Sequence, residues 1–503
     1  MKSKGLIVAI LSGLGPVLAL LWLVGVGPAR ADPGTRYVRA TGSDAGNDCA
    51  APGTPCATLQ HAIDVAQTGD EIHVAGGVYT RVGTLAAITR GLSIVGGFSA
   101  DFGSHDPVSY QTLLDAGWGG PVVSMTDASD VTLLYLTLTR GIGATCPEGQ
   151  SDCGGGIYAW ETTLHVGQCV ITNNVGSRTE SAFGGGVYVG NRYTGLPAEL
   201  WDNQIVSNTA SMASMNWATG WGGGLYLEAG NSLEYATVTG NTFERNTASA
   251  AGWGQGGGMY LVSYADVSHN LFRDNHASRA LGRTGQGAGL YLWEARGVIL
   301  DANRFLSNTA SDAGNGYGGA IYGSARVAMT MTNNLLAGNH ASVAGGGVWL
   351  STWDPSYRVA GTLVNNTLAD NDPGAGGEAI WIGSYVALTL TNNLLAGHVV
   401  GITNTAPASS TVVADTNLFS NTLDPIVGAN AIRQDPLLTA DYHLRLGSPA
   451  IDAGLTILWL TADLDSNPRP QGDQYDVGAF EAAVPRRTCL PLVSRISPQV
   501  PQH

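Results

Sequence analysis

Between residues 70 and 430, apolar and polar positions alternate in short runs. In "RVAMTMTNN", Arg326 to Asn334, Val327, Met329 and Met331 share one parity, and Ala328, Thr330 and Thr332 share the other. Period-two alternation predicts strands, and helical periodicity is nearly absent from this stretch.

The runs recur around a fixed signature. "GGGIY" ends at Tyr158, "GGGVY" at Tyr188, "GGGLY" at Tyr226, "GGGMY" at Tyr260, "GAGLY" at Tyr291 and "GGAIY" at Tyr322. "GGGVW" ends at Trp349 and "GGEAIW" at Trp381, and successive aromatics are 30, 38, 34, 31, 31, 27 and 32 residues apart. A constant motif at variable spacing means one structural unit with loops of different length. A second motif lies between the first: "IVSN" ending at Asn208, "FERN" at Asn246, "FRDN" at Asn275, "FLSN" at Asn308, "LAGN" at Asn339 and "LADN" at Asn371. The last copy, "LAGH", ends at His398.

A unit of about 30 residues, with two or three short strands and no helix, cannot bury its apolar face alone but can do so against copies of itself. The prediction is an all-β parallel β-helix with rungs about 4.8 Å apart. In "GGGLYLE", Leu225 and Leu227 point inward and Tyr226 and Glu228 outward. The eight aromatics then form one external column, asparagines stack at corners, and glycines allow positive-φ turns and close backbone approach. "TLQHAIDVAQT" at 58–68 is the one convincing amphipathic helix, with Leu59, Ile63, Val65 and Ala66 on one face. It is expected to cap the N-terminal end of the solenoid.

The expected organisation is a signal peptide at 1–31, an N-terminal cap at 36–72, the β-helix at 72–435, a C-terminal end module at 436–481 and a tail at 482–503 read as disordered. The signal reading rests on Lys2 and Lys4, an uncharged run from Leu6 to Val26, and Ala29 and Ala31 before a cut at Asp32. An uncleaved anchor is the competing reading. No second segment is long and apolar enough to span a membrane.

Composition narrows the function. Glycine is 70 of 503 residues without a Gly-X-Y period, and charged residues are only 13%, which excludes collagen and disorder. The net charge is −15, the only lysines are Lys2 and Lys4, and no basic patch exists, so nucleic acid is not an expected partner. Cys49 and Cys56 close "CAAPGTPC", and Cys146 and Cys153 close "CPEGQSDC"; two local disulfides are predicted in an oxidising compartment. Cys169 and Cys489 are left over.

These residues resemble known families. "RYVRATGSD" with "PCATLQHAIDVAQTGDEIHVAGGVYT" is similar to the opening of bacterial right-handed parallel β-helix proteins of the pectate-lyase-like superfamily. The "GGAIY" and "FxxN" motifs are similar to repeats of adhesin-like polymorphic outer-membrane proteins. "SPAIDAG" with "DLDSNPRPQGDQYDVGAFE", within 448–481, resembles the C-terminal module of choice-of-anchor Q proteins, which are secreted and carry varied surface-attachment tails. The tail here departs from that pattern, having neither an LPxTG signal nor a closing apolar helix.

The resemblance implies a right-handed coil and raises carbohydrate chemistry. The Asn-Thr-Asp, Asp-Asp, Gly-His-Gly and Arg-Ile-Lys elements of galacturonan hydrolases do not occur, and a processed chain has no lysine to serve as a lyase base. Arg178, Arg192, Arg245, Arg273 and Arg304 lie in the repeats without an aspartate cluster beside them in sequence. Glu228, Glu294 and Asp266 are candidate carboxylates, read as solvated acids rather than a catalytic pair. Asp463, Asp465 and Asn467 start like an EF-hand, but Pro468 and Gln474 stand where glycine and glutamate belong. No cofactor is expected, with Ca2+ the one ion this stretch could take. The alternative is a polar lock on the last rung, with Arg469 pairing an acid such as Glu481.

The expectation is a secreted or cell-surface, monomeric β-helix without catalytic activity, binding a glycan or surface protein. The candidate surface is Tyr158, Trp160, Tyr188, Tyr226, Glu228, Tyr260, Tyr291, Trp293, Tyr322, Trp349 and Trp381, with structural stacking as the competing role. The alternative function is a polysaccharide lyase or glycoside hydrolase acting on acidic polysaccharide.

Overall fold

A computed structural model of the chain describes residues 34–483, apart from 129, 148, 150, 216, 373–376, 421, 422, 424 and 425. The segment at 1–31 read as a signal peptide, Cys489 and all but the first two residues of the tail lie outside the described residues. The architecture is a right-handed parallel β-helix, and each rung is hydrogen-bonded in parallel to the next. One circuit comprises Gln204–Val206, Thr209–Ser211, Thr219–Trp221, Leu225–Ala229 and Ala236–Thr239, and Thr242–Glu244 opens the following one. Five strands form where the pattern predicted two or three. The additional pair comes from "NTAS" and "TGW", whose small residues let backbones pair without an alternating apolar face. Ala210, Ala248, Ala277 and Ala310 are buried at equivalent points of successive rungs.

The strands assemble into sheets of 23, 12, 7 and 5 members. Inward side chains stack in register: Ile157, Val187, Leu225, Met259, Leu290 and Ile321 form one buried file. On another wall Phe243, Phe272 and Phe305 stack with centroids 4.7 and 4.6 Å apart. Two of the glycines before Tyr226 have separate reasons. Gly222 turns the chain at φ +67°, while a Cβ on Gly223 would sit 2.4 Å from the Gly257 carbonyl oxygen of the next rung.

Two asparagine ladders brace the corners. Asn203, Asn241, Asn270, Asn303, Asn334, Asn366, Asn393 and Asn417 each hand a side-chain amide to the next member at 2.9–3.1 Å. Cys169 occupies the position below Asn203 and donates its backbone N–H to that oxygen at 2.9 Å. Burial pushes the Cys169 thiol up to about 12. The second ladder runs from Asn174 through Asn208 to Asn371 and ends on His398.

The helix spans Leu59–Val65, with the Thr58 hydroxyl accepting from the His61 amide at 3.3 Å. Leu59, Ala62, Ile63 and Ala66 enter the same core as the first rung and close its end. Ala62 is on that face, whereas Val65 is only half-buried, because the helix ends at Val65 and turns extended at Ala66. Cys49–Cys56 and Cys146–Cys153 are disulfide-bonded.

The C-terminal segment corrects the expectation of a lock on the last rung. It runs back along the outside of the coil as a strap. Asn333 donates to the Ala462 carbonyl at 3.0 Å, Asn365 to Asp476 O at 2.7 Å, and Asn392 to Leu455 O at 2.8 Å. Leu464, Ala479 and Phe480 cover Ala302, Leu335 and Ala337. Arg469 does pair with Glu481, at 2.6 Å and with both side chains fully buried, but it also bonds Asn333, well inside the coil. Asp463 accepts backbone amides from Asp465, Asn467 and Glu481. Asp465 instead bonds Arg304 at 2.5 Å and His443 at 2.6 Å, so the acids of this stretch are committed to internal partners. Among the described residues no helix is long and apolar enough to cross a membrane.

Candidate functional site

The eight repeated aromatics stack in one column outside the solenoid core. Tyr158, Tyr188, Tyr226, Tyr260, Tyr291 and Tyr322 follow one another at 4.8–5.7 Å, and Trp349 and Trp381 continue the file at 4.1 and 5.0 Å. The column is not a free surface. The seven-stranded sheet folds over it as a wing, bringing Phe183, Trp221, Gln255 and Tyr317 against the tyrosines. Phe183 stacks on Trp221 at 4.3 Å, Trp221 donates to Gln255 at 2.7 Å, and Gln255 donates to Gln286 at 2.7 Å. The six tyrosines are left 2–9% exposed, so their ring faces are spent on one another. This corrects the reading of the whole column as ring-stacking ligand surface.

A cleft of about 600 Å³ opens beside the column, with Phe183 of the wing in its lining. Its floor carries Tyr188, Tyr226 and Tyr260, and Trp160 and Trp293 flank it. Tyr158, Tyr291, Tyr322, Trp349 and Trp381 do not line it; of the aromatics predicted as ligand-binding, five do. Desolvation lifts the Tyr226 and Tyr260 phenols well above their usual range, reinforced by neighbouring carboxylates, so both stay protonated donors. Tyr226 donates to Glu228 at 3.4 Å.

Charged groups enter as pairs. Arg192 reaches Glu228 at 3.1 Å, and Glu294 meets Arg296 at 3.3 Å and Arg326 at 3.8 Å. Arg192 stands on the loop after Gly190, and Glu161 of the preceding rung holds that loop. Its carboxylate accepts from the amides of Tyr193 at 3.0 Å and Thr194 at 3.1 Å and from the Thr194 hydroxyl. Tyr193 thereby lies edge-on to Trp160 at 5.9 Å. The Cys146 end of a disulfide-closed hairpin forms the lower rim.

Glu228 and Glu294 thus share the cleft, but Asp266 does not. Asp266 lies on the adjoining sheet face, where burial raises its pKa. Of the repeat arginines only Arg192 lines the cleft. Arg178 stacks over Trp118, Arg245 and Arg273 flank Glu244, and Arg304 serves the strap. Sequence reasoning missed Val262, Ser263, Tyr264 and Arg296. A signal existed for the first three: "MYLVSYADVS" has no corner residue, and it runs as one unbroken strand, Met259–Ser268, through the bend between two walls. A second trough of about 610 Å³, on the adjoining face, is lined by Thr330, Thr362, Thr389 and small aliphatics and offers no carboxylate or guanidinium.

A family model described as "Right handed beta helix region" matches residues 155–417. No curated protein matches the chain. Among solved structures it is similar to pectate lyase Pel9A, at 14% identity over 90% of this chain and 97% of that one, with TM-score 0.42. A complex of XylC with xylose aligns at 11% identity over 89% and 98%, with TM-score 0.42. The GH136 lacto-N-biosidase from Eubacterium ramulus aligns at 11% identity over 80% and 68%, with TM-score 0.36.

Proposed function

The chain belongs to the right-handed β-helix family, and from that footing we propose a non-catalytic, secreted or cell-surface protein that binds a glycan in the cleft between Trp160 and Trp293. One observation carries the reading. The cleft joins two aromatic flanks to protonated phenols, carboxylates and guanidiniums at a volume suited to a small ligand. Indole faces pack against the C–H faces of sugar rings, and the polar groups serve the hydroxyls.

Absence of catalysis is supported by how the carboxylates are held. Glu228 is drawn toward Arg192 on the rung below, and Glu294 toward Arg326 on the rung above. Their strands are two rungs apart, roughly 10 Å along the axis, and each carboxylate is engaged by a guanidinium. A hydrolytic pair needs two carboxyls converging on one bond. The second reading, a polysaccharide lyase or glycoside hydrolase, draws on the position of Tyr260, which stands in the same cleft on the rung between the two acids. Export is supported by the 1–31 segment, and surface attachment by the resemblance of 448–481 to choice-of-anchor Q modules.

A glycan array with the processed protein tests the proposal. Retention of a defined glycan class, lost in a Trp160→Ala/Trp293→Ala variant, is expected. Release of reducing ends or unsaturated uronates from a polysaccharide would favour the enzyme reading instead.

A further inference from the structure

Resting on the glycan reading of this cleft, we propose that the cleft selects an uncharged oligosaccharide chain, about five sugars long and lying along the solenoid axis, over a uronate chain. The argument begins with charge. The guanidiniums of Arg192, Arg296 and Arg326 each already face Glu228 or Glu294, at 3.1, 3.3 and 3.8 Å. A carboxylate-bearing sugar would have to displace an internal carboxylate from its arginine. It would gain no net ion pair, lose its hydration and leave a buried-side glutamate uncompensated. The rest of the chain adds repulsion, since its net charge is −15.

A hydroxyl meets the opposite situation. An ion pair has unused capacity on both members: glutamate oxygens accept further hydrogen bonds and guanidinium N–H groups donate them. The phenols add donors that do not ionise near neutrality. Sugar hydroxyls, which donate and accept, can use all three kinds without breaking a pair.

Length follows from register. Trp160 pairs with Gly190, Gly190 with Glu228, and Glu228 with Val262, and Trp293 stands at the corresponding place one rung on. The indoles are therefore four rungs apart, about 19 Å. An extended pyranose chain advances by about one rung per sugar, so four steps separate the two flanks and about five sugars reach both.

Calorimetric titration of the full processed chain decides this. The probes are uncharged cello-, xylo- and manno-oligosaccharides and oligogalacturonates, each in a series of increasing length. At least one uncharged series should bind about tenfold or more tighter than oligogalacturonate of equal length, with affinity rising to about five sugars and then levelling. Glu228→Gln/Glu294→Gln frees the arginines and should raise oligogalacturonate affinity by about tenfold. Preference for oligogalacturonate by the unaltered protein would overturn the selectivity while leaving glycan binding in place. A folded double variant without the gain would do the same, and the unaltered panel decides if that variant does not fold. Failure of every glycan to bind, on this panel and on the array, would sink both readings.

Discussion

His398 Nε2 lies 3.3 Å from both the backbone nitrogen and the side-chain nitrogen of Asn371. It accepts the two bonds that an asparagine oxygen accepts at every earlier step, as Asn371 Oδ1 does from Asn339 at 3.0 and 2.8 Å. An imidazole can do this only while Nε2 is unprotonated.

Burial holds the His398 pKa down at about 3. A histidine depressed by folding contributes stability above its unfolded pKa, about 6.5, and that stability is lost as pH falls from there toward 3. The loss should reach the order of a few kcal/mol by about pH 4. His398→Asn restores the ladder residue, so its melting temperature should fall less between pH 7 and pH 4.5 than that of the unaltered chain. Equal slopes in parallel thermal melts would refute the assignment.

Phe272→Ala should cost about 3–5 kcal/mol, because the lost ring is sandwiched between Phe243 and Phe305 and the parallel rungs cannot close over the gap. Chemical denaturation monitored by far-ultraviolet circular dichroism gives the number. A cost below about 1 kcal/mol would mean that the coil repacks at this level.

The strap should respond to pH in the opposite sense from His398. Desolvation raises the Asp476 pKa to about 6 although the carboxylate accepts amides from Asp452 at 2.8 Å and Ala482 at 2.7 Å. A carboxyl raised by folding stabilises most below its unfolded pKa, near 4, and that contribution is lost as pH climbs through 6. Hydrogen-exchange protection factors of amides 450–482 should therefore decline from pH 4.5 to pH 7, by on the order of 2 kcal/mol in opening free energy. Asp476→Asn should flatten the decline.

Glu161→Ala removes the anchor of the loop that carries Arg192. Ligand affinity should drop roughly tenfold, with a stability cost of about 1–2 kcal/mol. Titration with the best-bound oligosaccharide measures the first, and Trp160 fluorescence reports whether Tyr193 has lifted away. Unchanged affinity would show that Arg192 is placed by other contacts.

Much of the coil was legible because its periodicity is local: Leu225 and Leu227 against Tyr226 is decided by strand geometry within three residues. The ring column follows from the constancy of the motif. The wing was not legible, because strands such as Gly285–Gln286 and Gly316–Tyr317 are only two residues long and have no alternation to read. The wing decides that Tyr226 is covered rather than free. The cleft draws Trp160, Arg192, Glu228 and Glu294 from different rungs, and Arg192 reaches it only through a loop pinned by Glu161. The strap depended on pairings such as Arg469 with Asn333, 136 positions apart, which no nearby pattern encodes.

The strap also changes how this molecule can come apart. Stacked repeats ordinarily loosen from an end, one layer at a time, since each layer touches only its neighbours. Here Arg304, Asn333, Asn365 and Asn392, on four successive layers, are tied to one returning segment. Peeling the outermost layer would require releasing that segment from deeper ones, so the final third of the stack should open as a single block or stay shut.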